Sequence, residues 1–273
     1  MTDSSSPSSA QEPLELNAGV PHSARVWNYW LGGKDNFPAD REVAEQFREA
    51  FPGVVDVARA SRAFLARTVR YLAGEAGVRQ FLDVGTGLPT ASNTHEVAQR
   101  VAPESRVVYV DNDPIVLAHA RALLTGTPEG RTAYVDADLY EPDKILEAAA
   151  RTLDFDRPIA LMLMGIMGHV GDYDEARSIV RRLLQPLPSG SYLALDDGTD
   201  VIDKAAVEEA QGAYNESGAI PYHPRSPEQI AGFFEGLELV EPGVVSCPRW
   251  RPDRADGAPP EELDAFGGVG RKP

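Results

Sequence analysis

Five short apolar runs, separated by longer stretches of helical periodicity, dominate the middle of the chain. "RQFLDVG" (79–85), "SRVVYVD" (105–111), "RTAYVDAD" (131–138), "RPIALMLMG" (157–165) and "GSYLALDD" (190–197) read as strands. "TASNTHEVAQRVA", "PIVLAHARALL", "EPDKILEAAARTL" and "DYDEARSIVRRLLQ" read as the helices between them, the second opening with Pro114 behind Asp113 as its cap. Strands that are apolar throughout must be covered on both faces. Alternation with helices then implies a parallel sheet with helices on each side.

The flanks complete an α/β architecture. Three helical segments precede the sheet, at residues 23–31, 39–51 and 54–72. Val43, Phe47 and Phe51 form one stripe on the second, and Val57, Phe64, Leu65, Thr68 and Leu72 one on the third. After the fifth strand a helix is predicted over 202–216. Another starts at "SPEQ", where Ser226 caps, Pro227 takes the first turn and Gln229 completes a capping box. Strands near 237–245 and 264–270 should pair antiparallel, giving a mostly parallel seven-stranded sheet with an antiparallel C-terminal strand. Residues 1–20, rich in Ser, Pro, Gln and Glu, read as a disordered tail. Residues 21–273 read as one domain, with a helical cap at 21–75 and a sheet core at 76–273.

Charge narrows the partners. With 42 acidic residues against 26 basic, the net charge is −16, which repels nucleic acid and anionic membranes. Arg177, Arg181 and Arg182 read as a solvated helix face. The single cysteine, Cys247, excludes an internal disulfide and a cysteine-based zinc site. "HEVAQ" at 95–99 approaches the zinc helix H-E-x-x-H, but Gln99 stands where the second ligand must be, so it reads as helix surface and no metal is expected. No secretory leader or membrane-length apolar run is present, so a soluble, cytoplasmic protein acting on a small molecule is expected.

In open α/β sheets, ligands bind beyond the carboxyl ends of the strands. The first strand ends in "LDVGTGLPT", where Gly85, Thr86 and Gly87 form a tight turn before a helix. The dinucleotide fingerprint G-x-G-x-x-G is incomplete, because Thr90 occupies its third glycine position. Asp83 beside the turn would disfavour a pyrophosphate and favour a ligand with an ammonium end. The second strand ends in "VDND"; Asp111 lies 24 positions after Gly87, close to the roughly 20-residue offset of a ribose-binding acid. The third ends in "DAD", so Asp138 can reach an adenine amino group with Leu139 against the ring.

These segments, with "ARVWNYWLGGKDNF" (24–37) and the ending "FGGVGRK", resemble the S-adenosylmethionine-dependent methyltransferases with a Rossmann-like sheet. The similarity is greatest to an actinomycete family whose substrates are unassigned, and it covers nearly everything after the tail. It implies a class I methyltransferase fold and S-adenosyl-L-methionine as cofactor. It implies that the turn from Asp83 to Gly87 holds the methionine part, that Asp111 and the adjacent Asn112 meet the ribose, that Asp138 and Leu139 meet the adenine, and that Met164 and Gly165 offer carbonyls to the ammonium. Pro89 departs from the usual third glycine of such motifs.

The aromatic stretch reads as a lid. Tyr29 and Trp30 would lie over the cofactor, and Lys34 and Arg62 would pair with its carboxylate. A plain capping helix ending at Gly32 is the alternative. For the chemistry, His169 lies where a general base would sit, with Asp196 and Asp197 as further candidates. No covalent nucleophile motif appears. Beside methyl transfer stand two other functions: a cofactor-binding protein without transfer activity, and an NAD(P)-dependent oxidoreductase.

Overall fold

The computed structural model describes residues 18–123, 126–253 and 258–273; most of the expected N-terminal tail lies outside them. Strands β1 (Gln80–Val84), β2 (Arg106–Asp111), β3 (Arg131–Asp136), β4 (Ala160–Met164) and β5 (Tyr192–Gly198) run parallel. The sheet order is β3-β2-β1-β4-β5, followed by β8 (Ala265–Arg271), antiparallel to β5, and then β6 (Glu238–Leu239). The expected strand at 237–245 is instead two short strands, β6 (Glu238–Leu239) and β7 (Val245–Ser246), both on β8. Among the described residues the strands therefore number eight rather than seven. The turn at Gly243, with φ +86°, interrupts the run.

Alternation along each strand builds two cores. Phe81, Val107, Ala160, Met162 and Ala194 face Phe64, Leu65, Val69 and Leu72 of α3 (Val54–Gly74), with Trp250 packed among them. Leu82, Val108, Leu161, Leu163 and Leu193 face α6 (Pro142–Ala149), α7 (Tyr173–Leu184) and α9 (Pro227–Gly232) through Ile145, Ile179 and Ile230. The other helices are α1 (Ser23–Trp30), α2 (Pro38–Ala50), α4 (Thr94–Val101), α5 (Pro114–Leu123) and α8 (Lys204–Glu216). The capping box at Ser226 and Gln229 forms as the sequence predicts. No helix among the described residues is long and apolar enough to cross a membrane.

Two local expectations change. The helix expected from Thr90 begins at Thr94, because Asn93 and Glu96 form a capping box there. The "HEVAQ" face is not surface: His95 and Gln99 are buried, His95 against the Tyr109 hydroxyl (2.8 Å) and Gln99 donating to the Ser105 carbonyl (3.0 Å). Because the strand order reverses between β1 and β4, the crevice for a ligand lies beyond their carboxyl ends.

Candidate functional site

A cavity of about 270 Å³ occupies that crevice. Its floor is the turn after β1. Gly85 and Gly87 take φ values of +74° and +65°, left-handed backbone that glycine adopts without strain. At Gly85 a β-carbon would also strike Ile166 at 2.5 Å. At Gly87 and Gly165 a β-carbon would meet nothing within 4 Å, so both backbones border open space.

Three acids at or just past the strand ends line the cavity: Asp83 on β1, Asp111 on β2 and Asp138, two residues beyond β3. Asp111 accepts from the Gly87 amide through Oδ2 (2.9 Å) and from the Asp113 amide through Oδ1 (2.9 Å). Each oxygen keeps a further lone-pair direction, which is what a ribose diol requires. Burial pushes the Asp111 carboxyl up to about 6 against the pull of those amides. Asp138 is tied by Asn112 (2.8 Å) and the Tyr140 amide (2.9 Å), with Leu139 beside it on the cavity wall. Asp83, at the end of β1, accepts from Thr94 (2.6 Å) and is pushed by burial to about 6. Arg62 of α3 also lines the cavity; it reaches the Ala91 carbonyl at only 3.3 Å, its Nε has no partner, and burial lowers its pKa.

At the end of β4, Met164, Gly165 and His169 line the same cavity. His169 Nδ1 lies 2.9 Å from the Pro221 carbonyl. A carbonyl only accepts, so Nδ1 carries the proton and Nε2 of the neutral ring is left as an acceptor. Burial holds the His169 pKa below its ordinary value. Asp196, at the end of β5, lines the cavity, whereas its neighbour Asp197 faces the other side of the sheet, bound by Tyr222 and by Arg225 (3.4 Å). Neither caps α8. The N-cap is Asp203, and Asp264 holds the turn before the helix by accepting from the Val201, Ile202 and Asp203 amides.

The aromatic stretch covers the cavity, with a different residue set from the one expected. Trp27, Asn28, Trp30 and Leu31 line it; Tyr29 and Lys34 do not. Tyr29 lies on the opposite side of α1 and donates to Glu45 of α2 (2.6 Å), and Lys34 is exposed. Trp30 is fixed by its indole N–H on the Ala44 carbonyl (3.1 Å) and by Phe47. The "GGKDNF" turn is closed by Asn28, which no sequence pattern marked. Its Oδ1 accepts from the Asp35 amide (3.1 Å) and from Asn36 (2.9 Å). A β-carbon on Gly33 would fall 2.3 Å from that side chain. Gly33→Ala is therefore expected to destabilise the protein by about 1–3 kcal/mol. Chemical denaturation checks this, and an unchanged midpoint would show that the turn is not held through Asn28.

Comparisons with known proteins extend over nearly the whole chain. The family model for S-adenosyl methyltransferases matches residues 9–273. The crystal structure of a DUF574 family protein from Streptomyces avermitilis is 50% identical, with a TM-score of 0.89 over 94% of this chain and 99% of that one. A Thermobifida fusca protein with a provisional methyltransferase assignment is 42% identical, with a TM-score of 0.86 over 95% and 98%. An O-methyltransferase family 2 protein from Planctomyces limnophilus, solved with apigenin, is 18% identical with a TM-score of 0.50, covering 85% of this chain and 66% of that one, a likeness of fold alone. No curated protein matches the sequence. The family match takes in the cap as well as the sheet, so the chain belongs to the S-adenosyl methyltransferase family, whose cofactor is S-adenosyl-L-methionine.

Proposed function

We propose that this protein transfers a methyl group from S-adenosyl-L-methionine to a small organic acceptor held in the same cavity. One observation carries the reading. The cavity does not stop at the strand-end acids but continues under the cap, between Phe47 and Phe51 near α2, Val54 and Val57 of α3, and Val207 and Tyr214 of α8. A site that only bound the cofactor would need no such chamber.

The residues present suit the cofactor. Open space over Gly87 and Gly165 gives its methionine part a close backbone approach. Asp111 would accept the ribose hydroxyls, and Asp138 with Leu139 would meet the adenine. Asp83 and the carbonyls at Met164 and Gly165 would face the ammonium. Arg62, with its unpartnered Nε, would take the carboxylate. Trp27 and Trp30, rather than Tyr29, would shut out water, and Arg62 alone would do the work also expected of Lys34. When bound, the cofactor supplies an already activated methyl group, so the chain mainly orients the partners and excludes solvent. His169 Nε2 can accept a proton on the cavity wall.

A thermal-shift titration tests the reading. S-adenosylmethionine and S-adenosylhomocysteine at 100 times their dissociation constants should each add about 2.7 kcal/mol. That is a rise on the order of 5–10 °C for a domain this size. NAD should add nothing. A rise with NAD alone would overturn the assignment of the turn.

A further inference from the structure

Asp196 is the acid at this end of the sheet that the cofactor does not need. Two strand spacings, roughly 10 Å, separate the end of β5 from the turn after β1. They lie on the side away from Asp111 and Asp138. Its carboxylate turns toward α3. There Oδ2 accepts from the Ser61 hydroxyl (2.5 Å), and the Cys247 thiol approaches the same oxygen at 3.7 Å. Oδ1 is buried and has no partner. Buried polar atoms are almost always paired, and an unpaired carboxylate oxygen carries a large desolvation cost. The chain also yields space to keep this side chain in place. Gly267 is its partner on β8, and a β-carbon there would fall 2.6 Å from the Asp196 Cβ.

The other polar side chains of this wall are engaged with the protein. Thr199 donates to Asp264 (2.9 Å), Tyr222 donates to Asp197, and Gln211 donates to Asn215 (2.9 Å). The rest of the chamber is apolar, from Phe51, Val54 and Val57 to Val207 and Tyr214. Among the described residues five carboxylates, Asp83, Asp111, Asp138, Asp196 and Asp264, line the whole cavity, and Arg62 is the arginine that faces them. An anionic molecule would be repelled from this chamber. A ring-sized apolar body with one N–H or O–H would fill it and satisfy Oδ1.

We propose that Asp196 receives the methyl acceptor, an apolar, ring-sized molecule whose hydroxyl or amino group donates to Oδ1 and passes its proton to that carboxylate as it is methylated. The inference rests on the methyltransferase reading above. In the transfer a bond forms between the acceptor heteroatom and the methyl carbon. The carbon–sulfur bond breaks with its electron pair left on sulfur, and the heteroatom's proton goes to Asp196 and then to water. Burial pushes the Asp196 carboxyl up to about 7, a suitable value for a base working near neutral pH. The groups facing it are Ser61 and Arg62 on α3, the Cys247 thiol, Tyr222, and Asp197 on its own strand.

The test is calorimetric binding to the full chain at pH 8. S-adenosylhomocysteine is titrated first. Without binding, the cofactor reading itself fails and this inference falls with it. The loaded protein is then titrated with 2-naphthol, 2-(aminomethyl)naphthalene, 2-methoxynaphthalene and 2-naphthoate. The two donor-bearing probes should bind about tenfold or more tighter than the methoxy and carboxylate probes, as expected for a hydrogen bond to a charged group. Asp196→Asn, with its affinity for S-adenosylhomocysteine retained, should lose that preference. In the wild type the preference should also fade from pH 8 to pH 6 as Asp196 takes up its proton, a reading that needs no variant. Equal or tighter binding of naphthoate, no binding of the donor probes at their solubility limit, or a preference that survives in Asp196→Asn would each overturn the proposal. In the last case another acceptor, such as His169 Nε2, would carry the preference.

Discussion

Asp111→Ala should lose about a hundredfold or more of the affinity for S-adenosylhomocysteine. The carboxylate ends β2 at the switch point, with one oxygen already on the Gly87 amide and the other on the Asp113 amide. Those amides fix its plane, so on the proposed reading the remaining lone pairs would face a ribose diol without reorganisation. Two hydrogen bonds to a charged group are worth about 1.5–3 kcal/mol each. The truncation also frees the Gly87 amide and loosens the turn. Asp111→Asn, which keeps one acceptor oxygen, should fall between the two. Isothermal titration calorimetry reads the effect directly; an Asp111→Ala constant within threefold of wild type would place the ribose elsewhere.

The ligand-free protein should be more stable in mild acid than in mild base. Burial raises Asp83, Asp111 and Asp197 to about 6 and Asp196 to about 7. In the unfolded chain each would lose its proton at about 3.9. Between these limits the folded state binds more protons, so the stability contributed by these groups falls as pH rises, and the loss is complete by about pH 8. Each tenfold difference in proton affinity between the folded and unfolded chain corresponds to about 1.4 kcal/mol. A loss of a few kcal/mol in all amounts to a melting temperature on the order of 10 °C lower at pH 8 than at pH 5. Relief of the net charge of −16 acts in the same direction. Asp196→Asn isolates one contribution, since it should flatten the decline between pH 6 and 8. Saturating S-adenosylhomocysteine should narrow the gap by stabilising the ionised forms of Asp83 and Asp111. A melting temperature that is equal at the two pH values, or lower in acid, would mean that these acids are already ionised in the empty site.

The sheet was legible because its strands are apolar on both faces and each is followed by helical periodicity. The five parallel strands fall within three residues of their predicted limits at either end. Local signals that were present but outweighed account for two misplacements. The Asn93-to-Glu96 spacing marks the true start of α4, and Gly243 marks the break between β6 and β7. The cavity wall was legible only in part. One residue along a helix turns the direction by about 100°, which is why Trp30 roofs the cavity while Tyr29 bonds to α2. The spacing of the aromatic residues does not say which face meets the sheet. Partnerships such as Ser61 with Asp196, 135 residues apart, leave no local trace. Asp264 and Asn28 were missed for the same kind of reason, since each does its work by closing a turn whose geometry the sequence does not display.

The cavity has two kinds of wall. The acids and glycines that suit the cofactor sit on strand ends and the turns after them, where any shift would disturb the pairing of the sheet. The chamber beyond is walled by apolar residues of α2, α3 and α8. Exchange of one apolar residue for another there changes the shape of the chamber and leaves the strand register intact. A lineage built on this plan can diversify its acceptors while its donor stays constant, because inheritance acts on the two halves of the reaction separately.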